Sequence, residues 1–471
     1  MNIRRFLMVS VAALFITASA SAQLRTSYFM EGTYFRTELN PVLVPTRGYL
    51  ALPGVSGVGV NLSSDFLSVE KLYRETNSGW QSIFSDKVTA QDAFANFADQ
   101  TYLNANVSAN ILGIGWNTKG GNGFWSLGLN SRTTLFGDFE KGMFEGLKSG
   151  SKSGLNSTFD LTSYVEAYLG SSFKLGKNVS FGFRVKALFG AARIDGTITN
   201  ATRAGQAGTL TSNVNVAGMM VKPDGKGANI LYDLNDPVQI LSSATNMGIA
   251  GDLGLEIRLL KNHIKLSAGI TDLGFINWSS EHIKRGQMDV VFNMDQSSLE
   301  ESYQFGSPSH PTFSDMKANQ QSSGLAQKQT LNYSVNAGLE LNFLRNHVAL
   351  GVMSHTQFVA NKPRYTELTA SLNLRLTNWF SVTGSHTFEN GNQPGVFGAA
   401  INFHPRVLNI FVGADFIDYN MATMANGAFA SYRPTSHSVY AGVSFSFTRS
   451  KAVRIAEKEA KEARKAKRAA K

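Results

Sequence analysis

Apolar and polar side chains alternate at every second position along residues 159–175. The apolar or small face of this segment comprises Phe159, Leu161, Val165, Ala167, Leu169, Phe173 and Leu175. A helix would scatter these groups around its axis, so the alternation predicts a β-strand. At about 3.3 Å per residue, this strand exceeds the ~9–11 residues that cross a bilayer at a tilt. We therefore predict a membrane-spanning strand.

Similar alternating segments recur along the chain, and tight turns join them in pairs. Several turns, such as Leu260-Lys261-Asn262-His263 and Leu344-Arg345-Asn346-His347, place Asn just before the next strand, where its tolerance of left-handed backbone suits a hairpin. The predicted hairpins pair 102–117 with 124–136, 159–175 with 179–193, 246–260 with 263–276, 329–344 with 347–358, 365–376 with 379–388, and 395–404 with 407–418. Single strands at 54–63 and 436–448 bring the prediction to fourteen strands.

Long connections separate most of these hairpins, at 64–101, 137–158, 194–245, 277–328 and 419–435. Short turns at one end and long loops at the other are typical of outer-membrane barrels, whose short turns face the periplasm. All eleven prolines lie outside the interiors of the predicted strands, because proline cannot donate to a strand ladder. We predict an all-β fold: a closed antiparallel transmembrane β-barrel of about 14 strands over residues 54–448, in the outer membrane, with both termini in the periplasm.

Aromatic residues gather near the predicted strand ends, as in the girdles of membrane barrels. Near the short turns they are Trp116, Trp125, Phe173, Phe181, Phe343, Trp379, Phe403 and Phe447. Near the long loops they are Phe136, Phe189, Phe275, Trp278, Phe358 and Phe388. General enrichment of aromatic residues in strands is the alternative explanation. We expect outer-membrane lipid around the barrel, and we expect a monomer.

Charged side chains fall on the face opposite the apolar stripe and predict a polar, charge-mixed lumen. These lumen-facing residues are Asp160, Glu166, Arg184, Lys186, Glu256, Arg258, Lys265, Glu340 and Arg375. They could line a solute pathway or form a gating network. For any single residue, a structural ion pair is the more common explanation, because buried charges are usually paired.

The N-terminus has the features of an export signal. Arg4 and Arg5 precede an apolar stretch and then small residues up to Ala22, which predicts a signal peptide over residues 1–22. No later stretch has eighteen consecutive apolar residues, so we expect no membrane-spanning helix in the mature chain. The chain contains no cysteine, which excludes disulfides, thiolate metal sites and a cysteine nucleophile.

Residues 23–53 lack strand alternation and contain Asn40-Pro41-Val42. With the strand count, this segment resembles the FadL-like outer-membrane barrels, which are related to long-chain fatty-acid transporters and include uncharacterised relatives in gliding and gut bacteria. The resemblance implies an N-terminal plug inside the lumen, with Asn40 and Pro41 at the plug motif. That motif is often Asn-Pro-Ala in the family, and here Val42 replaces the alanine. The resemblance assigns no substrate-binding residue.

The first long loop contains a helix signal. Thr89-Ala90-Gln91-Asp92 resembles a capping box, and Phe94, Phe97 and Ala98 follow at helical spacing. Such a helix could form a lid over the barrel mouth, although packing within its own loop is the more common role.

Residues 449–471 form a basic tail after the last predicted strand, with ten Lys and Arg against three Glu. Removing its charge of +7 and the two signal arginines from the chain's +10 leaves the barrel at about +1. Because Ala, Lys, Arg and Glu favour helices, we predict a solvated periplasmic helix over 449–471. This helix could bind an anionic periplasmic partner or have no specific partner, and we expect no nucleic acid there.

Enzyme chemistry has little support in the residue pattern. No two of the eight histidines have the helical spacing of a metal site. His355, His386 and Glu389 could approach the outer rim, where outer-membrane hydrolases place catalytic groups, but sequence alone does not bring them together. We predict no catalytic residues, no metal site and no cofactor.

Two functions follow from these features. The first is passive transport of a small hydrophobic or amphipathic solute, with residues 23–53 plugging the lumen, and the family resemblance favours it. The second is a non-conducting barrel for envelope interaction or secretion-associated assembly, acting through its loops or its basic tail. A permanent plug would favour the second function, whereas a continuous apolar cleft through the wall would favour the first.

Overall fold

Fourteen antiparallel strands form one closed barrel in the computed structural model, which confirms the predicted fold class. The structure describes residues 25–53, 55–77, 79–118, 121–205, 207–218, 246–279, 283–293, 327–359, 361–389, 395–417, 421–423, 429–432 and 436–449. The predicted signal peptide and the basic tail beyond Arg449 lie outside the described residues.

The barrel strands are labelled β1 to β14 in chain order. They are β1 (Arg47–Ala51, continuing as Gly57–Ser64), β2 (Gln100–Asn117), β3 (Gly123–Glu140), β4 (Ser151–Leu175), β5 (Val179–Ala204), β6 (Met247–Leu259), β7 (Ile264–Trp278), β8 (Gln327–Thr330, continuing as Tyr333–Phe343), β9 (Val348–Val359), β10 (Lys362–Thr377), β11 (Phe380–Glu389), β12 (Val396–Phe403), β13 (Leu408–Ile417) and β14 (Ser436–Arg449). Each agrees with a predicted strand in type and approximate position, with one exception. Arg47–Ala51 was predicted within the plug segment 23–53, but it pairs with β2 and β14 as part of the barrel wall.

The barrel closes where β14 pairs with β13 on one side and with both parts of β1 on the other. Its outward side chains are largely apolar. Leu127, Leu169, Val185 and Leu255, for example, are between 38% and 50% exposed. A closed sheet leaves no unpaired edge, so this exterior can face hydrocarbon without unsatisfied backbone groups.

Shorter elements precede the first barrel strand and lie between the others. They are the helices Val69–Leu72, Ala90–Ala93 and Lys141–Ser149, the 3-10 turns Thr26–Phe29, Phe35–Glu38, Leu260–Asn262 and Leu344–Asn346, and the strand pairs Tyr73–Thr76 with Gly79–Ser82 and Met421–Thr423 with Phe429–Ser431. None of the helices in the described part of the chain is long and apolar enough to cross a membrane.

Strands β4 and β5 extend beyond the predicted ends, to 25 and 26 residues. Their outer ends form a sheet with two further strands, Ala207–Gly218 and Ile283–Asn293. The prediction of loops at 137–158, and in the described parts of 194–245 and 277–328, is therefore wrong. Leu155 of β4 and Ile198 of β5 give the extension an apolar face, which packs against the helix Lys141–Ser149.

The predicted helix in the first long loop is a single turn, Ala90–Ala93. Thr89 caps it, since its Oγ1 accepts a hydrogen bond from the backbone N of Asp92 at 3.1 Å. Phe94 and Phe97 are buried with Phe144 in one apolar cluster. The cluster also includes Leu155 of β4 and Ile198 of β5, so these side chains pack against other elements as well as within their own loop.

The short turns show why Asn precedes the next strand. Leu260, Lys261 and Asn262 all have φ between 48° and 73°, and Leu344, Arg345 and Asn346 have nearly the same values. Three successive left-handed residues are costly for most side chains and least so for Asn. In the turn before β5, Gly176 has the positive φ instead.

Most of the predicted aromatic girdle lies on the outer face, but two assignments near the long loops are wrong. Trp116, Phe343 and Trp379 are exposed to the membrane at the short-turn end. Phe136 and Trp278 are buried instead. Both side chains occupy alternate positions that face the interior of the barrel. Nearness to a loop does not indicate which face a side chain occupies.

Candidate functional site

Residues 25–46, called the inner segment, cross the inside of the barrel at the short-turn end. They form two 3-10 turns rather than a strand, as expected for a stretch that contains Pro41 and Pro45. Hydrogen bonds join the segment to strands all round the wall. They link Thr26 to Ser385 of β11 (2.6 Å), Tyr28 to Ser267 of β7 (2.8 Å), and the carbonyl of Leu39 to Asn336 of β8 (2.8 Å).

Aromatic packing fixes the middle of the inner segment. Tyr34 stacks on Tyr49 of β1, with ring centroids 4.6 Å apart. Phe35 packs between Phe411 and Tyr440 at centroid distances of 5.2 and 5.9 Å. All five rings are buried, so the segment contributes an apolar core within an otherwise polar lumen.

Asn40 and Pro41, the predicted plug motif, lie against wall positions that lack side chains. Asn40 is fully buried, and its Oδ1 accepts a hydrogen bond from the backbone N of Val42 at 3.2 Å. A Cβ added at Gly254 would lie 2.1 Å from that same Oδ1 atom. A Cβ at Gly182 would lie 2.6 Å from the backbone of Val42. The wall therefore admits the segment only where glycine allows close approach.

Glu38 of the inner segment joins a group of buried charges, called the central network. Its members are Glu38, Arg132, Glu166, Arg184, Lys186, Asp252 and Asp272. Arg184 lies 3.1 Å from Glu38, and Arg132 also pairs with Glu38. Lys186 is fully buried and lies 2.6 Å from Asp272 and 2.9 Å from Asp252. Burial opposes ionisation of Glu38, but Arg184 and Arg132 outweigh it and lower its pKa.

A second group, called the short-turn network, contains Glu31, Lys265, Glu340 and Arg375. Lys265 pairs with Glu31 and lies 2.8 Å from Glu340, whereas Arg375 lies 3.3 Å from Glu31 and 3.1 Å from Glu340. Burial would raise the pKa of Glu31, but Lys265 and Arg375 hold it well below its ordinary value. Each acid thus meets two cations, and each cation meets two acids.

The nine predicted lumen-facing charges therefore fall into four places. Glu166, Arg184 and Lys186 lie in the central network, and Lys265, Glu340 and Arg375 lie in the short-turn network. Glu256 and Arg258 pair with each other at 2.6 Å. Asp160 lies apart from these groups, near the long loops, and pairs with Arg193 at 2.9 Å.

Several members of these networks were not among the predicted lumen-facing residues. Arg132 and Asp252 share the inward parity of their strands, so the alternation could have identified them. Asp272 has a φ of 65° next to a register shift, which breaks the alternation locally. Glu31 and Glu38 lie outside any strand, and their sequence carries no signal for the strands that they meet.

A cavity of about 1280 Å³ lies at the long-loop end of the barrel. Strand β4 runs from the cavity to the central network. Asp160, Thr162 and Tyr164 line the cavity, and Glu166 of the network follows on the same face of the strand. Polar residues outnumber apolar ones in its wall, and they include Asp138, Asp195, Asn213, Asn215, Gln287 and Arg364. Apolar atoms nevertheless contribute about half of its exposed surface, from side chains such as Phe136 and Leu331.

Asp160 is held rigidly at the wall of this cavity. Its carboxylate accepts hydrogen bonds from Thr162 Oγ1 (2.6 Å), Gln329 Nε2 (3.0 Å) and Arg193 Nη2 (2.9 Å). Gln329 is itself oriented by the buried Trp278, whose Nε1 donates to Gln329 Oε1 at 2.8 Å. Four side chains thus define where the Asp160 oxygens lie.

The histidines considered for catalysis do not converge. His355 is buried in the interior, where its Nδ1 lies 2.6 Å from Asn336 Oδ1. His386 packs between Phe388 and Phe397, two exposed side chains of the outer face. In the described part of the chain, no group of three or more His, Asp and Glu is placed to hold a metal ion.

Comparison with known proteins adds a family and several barrels. A model described as "Family of unknown function (DUF5723)" matches residues 41–415. No curated protein matches the chain. The toluene transporter TodX of P. putida is similar at 11% sequence identity and a TM-score of 0.38, covering 91% of this chain and 95% of that one.

Two further solved structures show the same level of similarity. A FadL homologue of Pseudomonas aeruginosa has 9% identity and a TM-score of 0.38, with 90% of this chain and 95% of that one covered. The translocator domain of the autotransporter NalP from Neisseria meningitidis has 9% identity and a TM-score of 0.32, with 85% and 89% covered. Similarity this low does not indicate a shared activity.

Proposed function

This chain belongs to DUF5723, a family of unknown function, and we propose that it is an outer-membrane transport barrel that the inner segment holds closed at rest. The observation that carries the proposal is the arrangement of the interior. A cavity at the long-loop end lies directly above a short-turn end that the inner segment and its charge networks fill.

The contacts of the inner segment suit a gate. Its charged contacts can be replaced by water at little cost in free energy, because the attraction within a buried ion pair is largely offset by the loss of hydration of its two charges. Its aromatic cluster supplies the net attraction that keeps the closed state populated. Displacing residues 25–46 would open a path along the polar face of the wall.

The long loops are assigned to the outside and the short turns to the periplasm, so both termini are periplasmic. A solute then enters the cavity from outside and passes inward without an energy source. Of the hydrophobic and amphipathic solutes expected from the sequence, the amphipathic class fits better, because the cavity wall combines polar and apolar surface.

A disulfide that locks the inner segment tests this proposal. Thr26 and Ser385 have hydroxyl oxygens 2.6 Å apart, so Thr26→Cys with Ser385→Cys places two sulfurs near bonding distance. The chain has no other cysteine to interfere. We expect the oxidised double variant to pass small solutes into proteoliposomes at least about tenfold more slowly than its reduced form.

The single variant Thr26→Cys is the matched control, and oxidant should leave its flux unchanged. If wild-type protein and the reduced double variant pass no small solute into proteoliposomes, the transport proposal fails. A locked variant that transports as fast as the reduced one would show that the inner segment is not the gate.

The second candidate is the non-conducting envelope barrel, and the dense seating of the inner segment favours it over an open pore. In that case the partners would bind the loops or the basic tail 449–471, whose two expected alternatives are an anionic periplasmic partner and no specific partner. A pull-down from envelope extract with and without residues 450–471 tests the tail, and an unchanged set of partners would remove it from consideration.

A further inference from the structure

The cavity at the long-loop end indicates what kind of solute it receives. We propose that it binds a neutral, polyhydroxylated solute, specifically an oligosaccharide. The proposal rests on the transport function for its physiological role, and it names the substrate class of that same barrel.

The size of the cavity favours a chain of several rings. Pockets for drug-sized ligands usually have volumes of about 300–1,000 Å³. The volume here is about 1280 Å³, which exceeds that range. A single small molecule would leave much of the polar wall in contact with water only.

The charges of the wall argue against an ionic ligand. Four cationic and three acidic side chains line the cavity, so neither sign dominates. The acids already have partners: Arg193 lies 2.9 Å from Asp160 and 3.3 Å from Asp195, and Arg364 lies 3.0 Å from Asp138. A cationic ligand would have to break these pairs, and an anionic ligand would meet only Lys328 and Lys362 outside them.

The remaining wall argues against a hydrocarbon. Thr, Asn and Gln side chains lie among the apolar groups, and burying these amides and hydroxyls under a hydrocarbon would leave their hydrogen bonds unmade. Sugar hydroxyls both donate and accept, so they can satisfy carboxylates, guanidinium groups and amides together. Phe136 and Tyr164 offer apolar surface for the C–H faces of sugar rings.

Asp160 is the most completely prepared contact in this wall. Gln329, Thr162 and Arg193 fix its carboxylate, yet about a third of its side chain (32%) remains exposed. Acceptors that are oriented before binding lose little entropy when a ligand arrives. We therefore expect a sugar hydroxyl to donate to the exposed part of Asp160, in place of one of these intramolecular donors.

Isothermal titration calorimetry with the purified full-length protein in detergent tests the proposal. The probes are maltohexaose, cellohexaose and mannohexaose, with palmitate and hexaglycine as hydrophobic and zwitterionic competitors. We expect at least one saccharide to bind at millimolar concentration or below, and palmitate and hexaglycine not to bind. Absence of all saccharide binding, or binding of palmitate or hexaglycine instead, would overturn the proposal.

The substitution Asp160→Asn should weaken saccharide affinity about tenfold or more, since it removes a charged acceptor. Asp86→Asn is the matched control, because the Asp86 side chain is 94% exposed in the first long loop. Should Asp160→Asn not fold, as judged by heat-modifiable gel migration, Asp138→Asn replaces it. Equal affinities for the cavity variant and the control would contradict the assignment.

Calorimetry separates this proposal from the transport function on which it rests. Saccharide binding without solute flux into proteoliposomes would contradict transport and leave the binding class standing. Flux without saccharide binding would contradict the binding class and leave transport standing.

Discussion

The same strands surround a filled lumen at one end of the barrel and an open cavity at the other. At the short-turn end the inner segment fills the lumen, and Glu31 and Glu38 meet at least two cations each. At the long-loop end the wall surrounds an open volume, and Asp160 and Asp138 are each about a third exposed. Both ends are polar, so polarity alone does not distinguish a filled region from a cavity.

The difference between them is how completely the charges are satisfied by the chain itself. Withdrawing a carboxylate from water costs several kcal/mol unless nearby cations and hydrogen bonds replace the water. The central and short-turn networks supply those partners through the inner segment. In the cavity, the charged side chains remain accessible, so water or a ligand supplies part of their solvation.

Removal of Lys186, which lies among three carboxylates in the central network, should have the largest effect at the filled end. Lys186→Met should lower the free energy of unfolding by about 3–5 kcal/mol, because it leaves buried negative charge uncompensated. Urea unfolding of the barrel in lipid vesicles measures it. The control Lys152→Met breaks an exposed pair and should cost less than about 1 kcal/mol. Similar losses in both variants would contradict the assignment.

A purely steric change tests the filled end without altering charge. Gly182→Ala places a Cβ against the backbone of Val42, so we expect a loss of about 1–3 kcal/mol and faster proteolysis of the inner segment. The matched control is Gly384→Ala, whose added Cβ meets no atom within 4 Å. If the two variants are cleaved equally fast, the inner segment does not press on the wall at this point.

The short-turn network predicts a defined pH dependence. The partners of Glu31 hold its pKa below the usual value of about 4.3, so its charge stabilises the fold above that pH. Glu31→Gln should therefore cost about 1–2 kcal/mol at both pH 7 and pH 5, and the difference from wild type should shrink only below about pH 4. Urea unfolding across that range is the measurement. A difference that disappears between pH 7 and pH 5 would show that the pKa is not lowered.

The smallest effect is expected at the open end. Thr197→Val changes a side chain that lines the cavity and should alter the free energy of unfolding by less than about 0.5 kcal/mol. The same urea assay applies. A loss as large as that of Gly182→Ala would mean that the cavity wall is packed as tightly as the inner segment.

Most of the barrel could be predicted from the sequence, and the exceptions have physical causes. The alternation identified fourteen strands and six hairpins because side chains of a strand point to opposite faces at a fixed period of two. The outer parts of β4 and β5 were missed as strands although they pair with each other and β5 pairs with the next strand in the chain. Residues 151–158 contain a single apolar side chain, Leu155, so no alternation marks them as a strand. Phe136 and Trp278 were assigned outward because their nearness to a loop was used in place of their parity.

The candidate site was predicted only in part. Parity correctly selected charges such as Glu166 and Lys186 for the buried face, and it could have added Arg132 and Asp252. It did not reveal that Glu31 and Glu38 join strands of different hairpins. Nor did it reveal that Trp278 orients Gln329 against Asp160.

Local periodicity therefore determined the strands, their pairing and the separation of a polar interior from an apolar exterior, because each depends on neighbouring residues alone. The tertiary structure decided which charges meet, where the inner segment lies and where a cavity remains. Those properties depend on barrel closure, which brings residues hundreds of positions apart, such as Arg25 and Glu367, into contact.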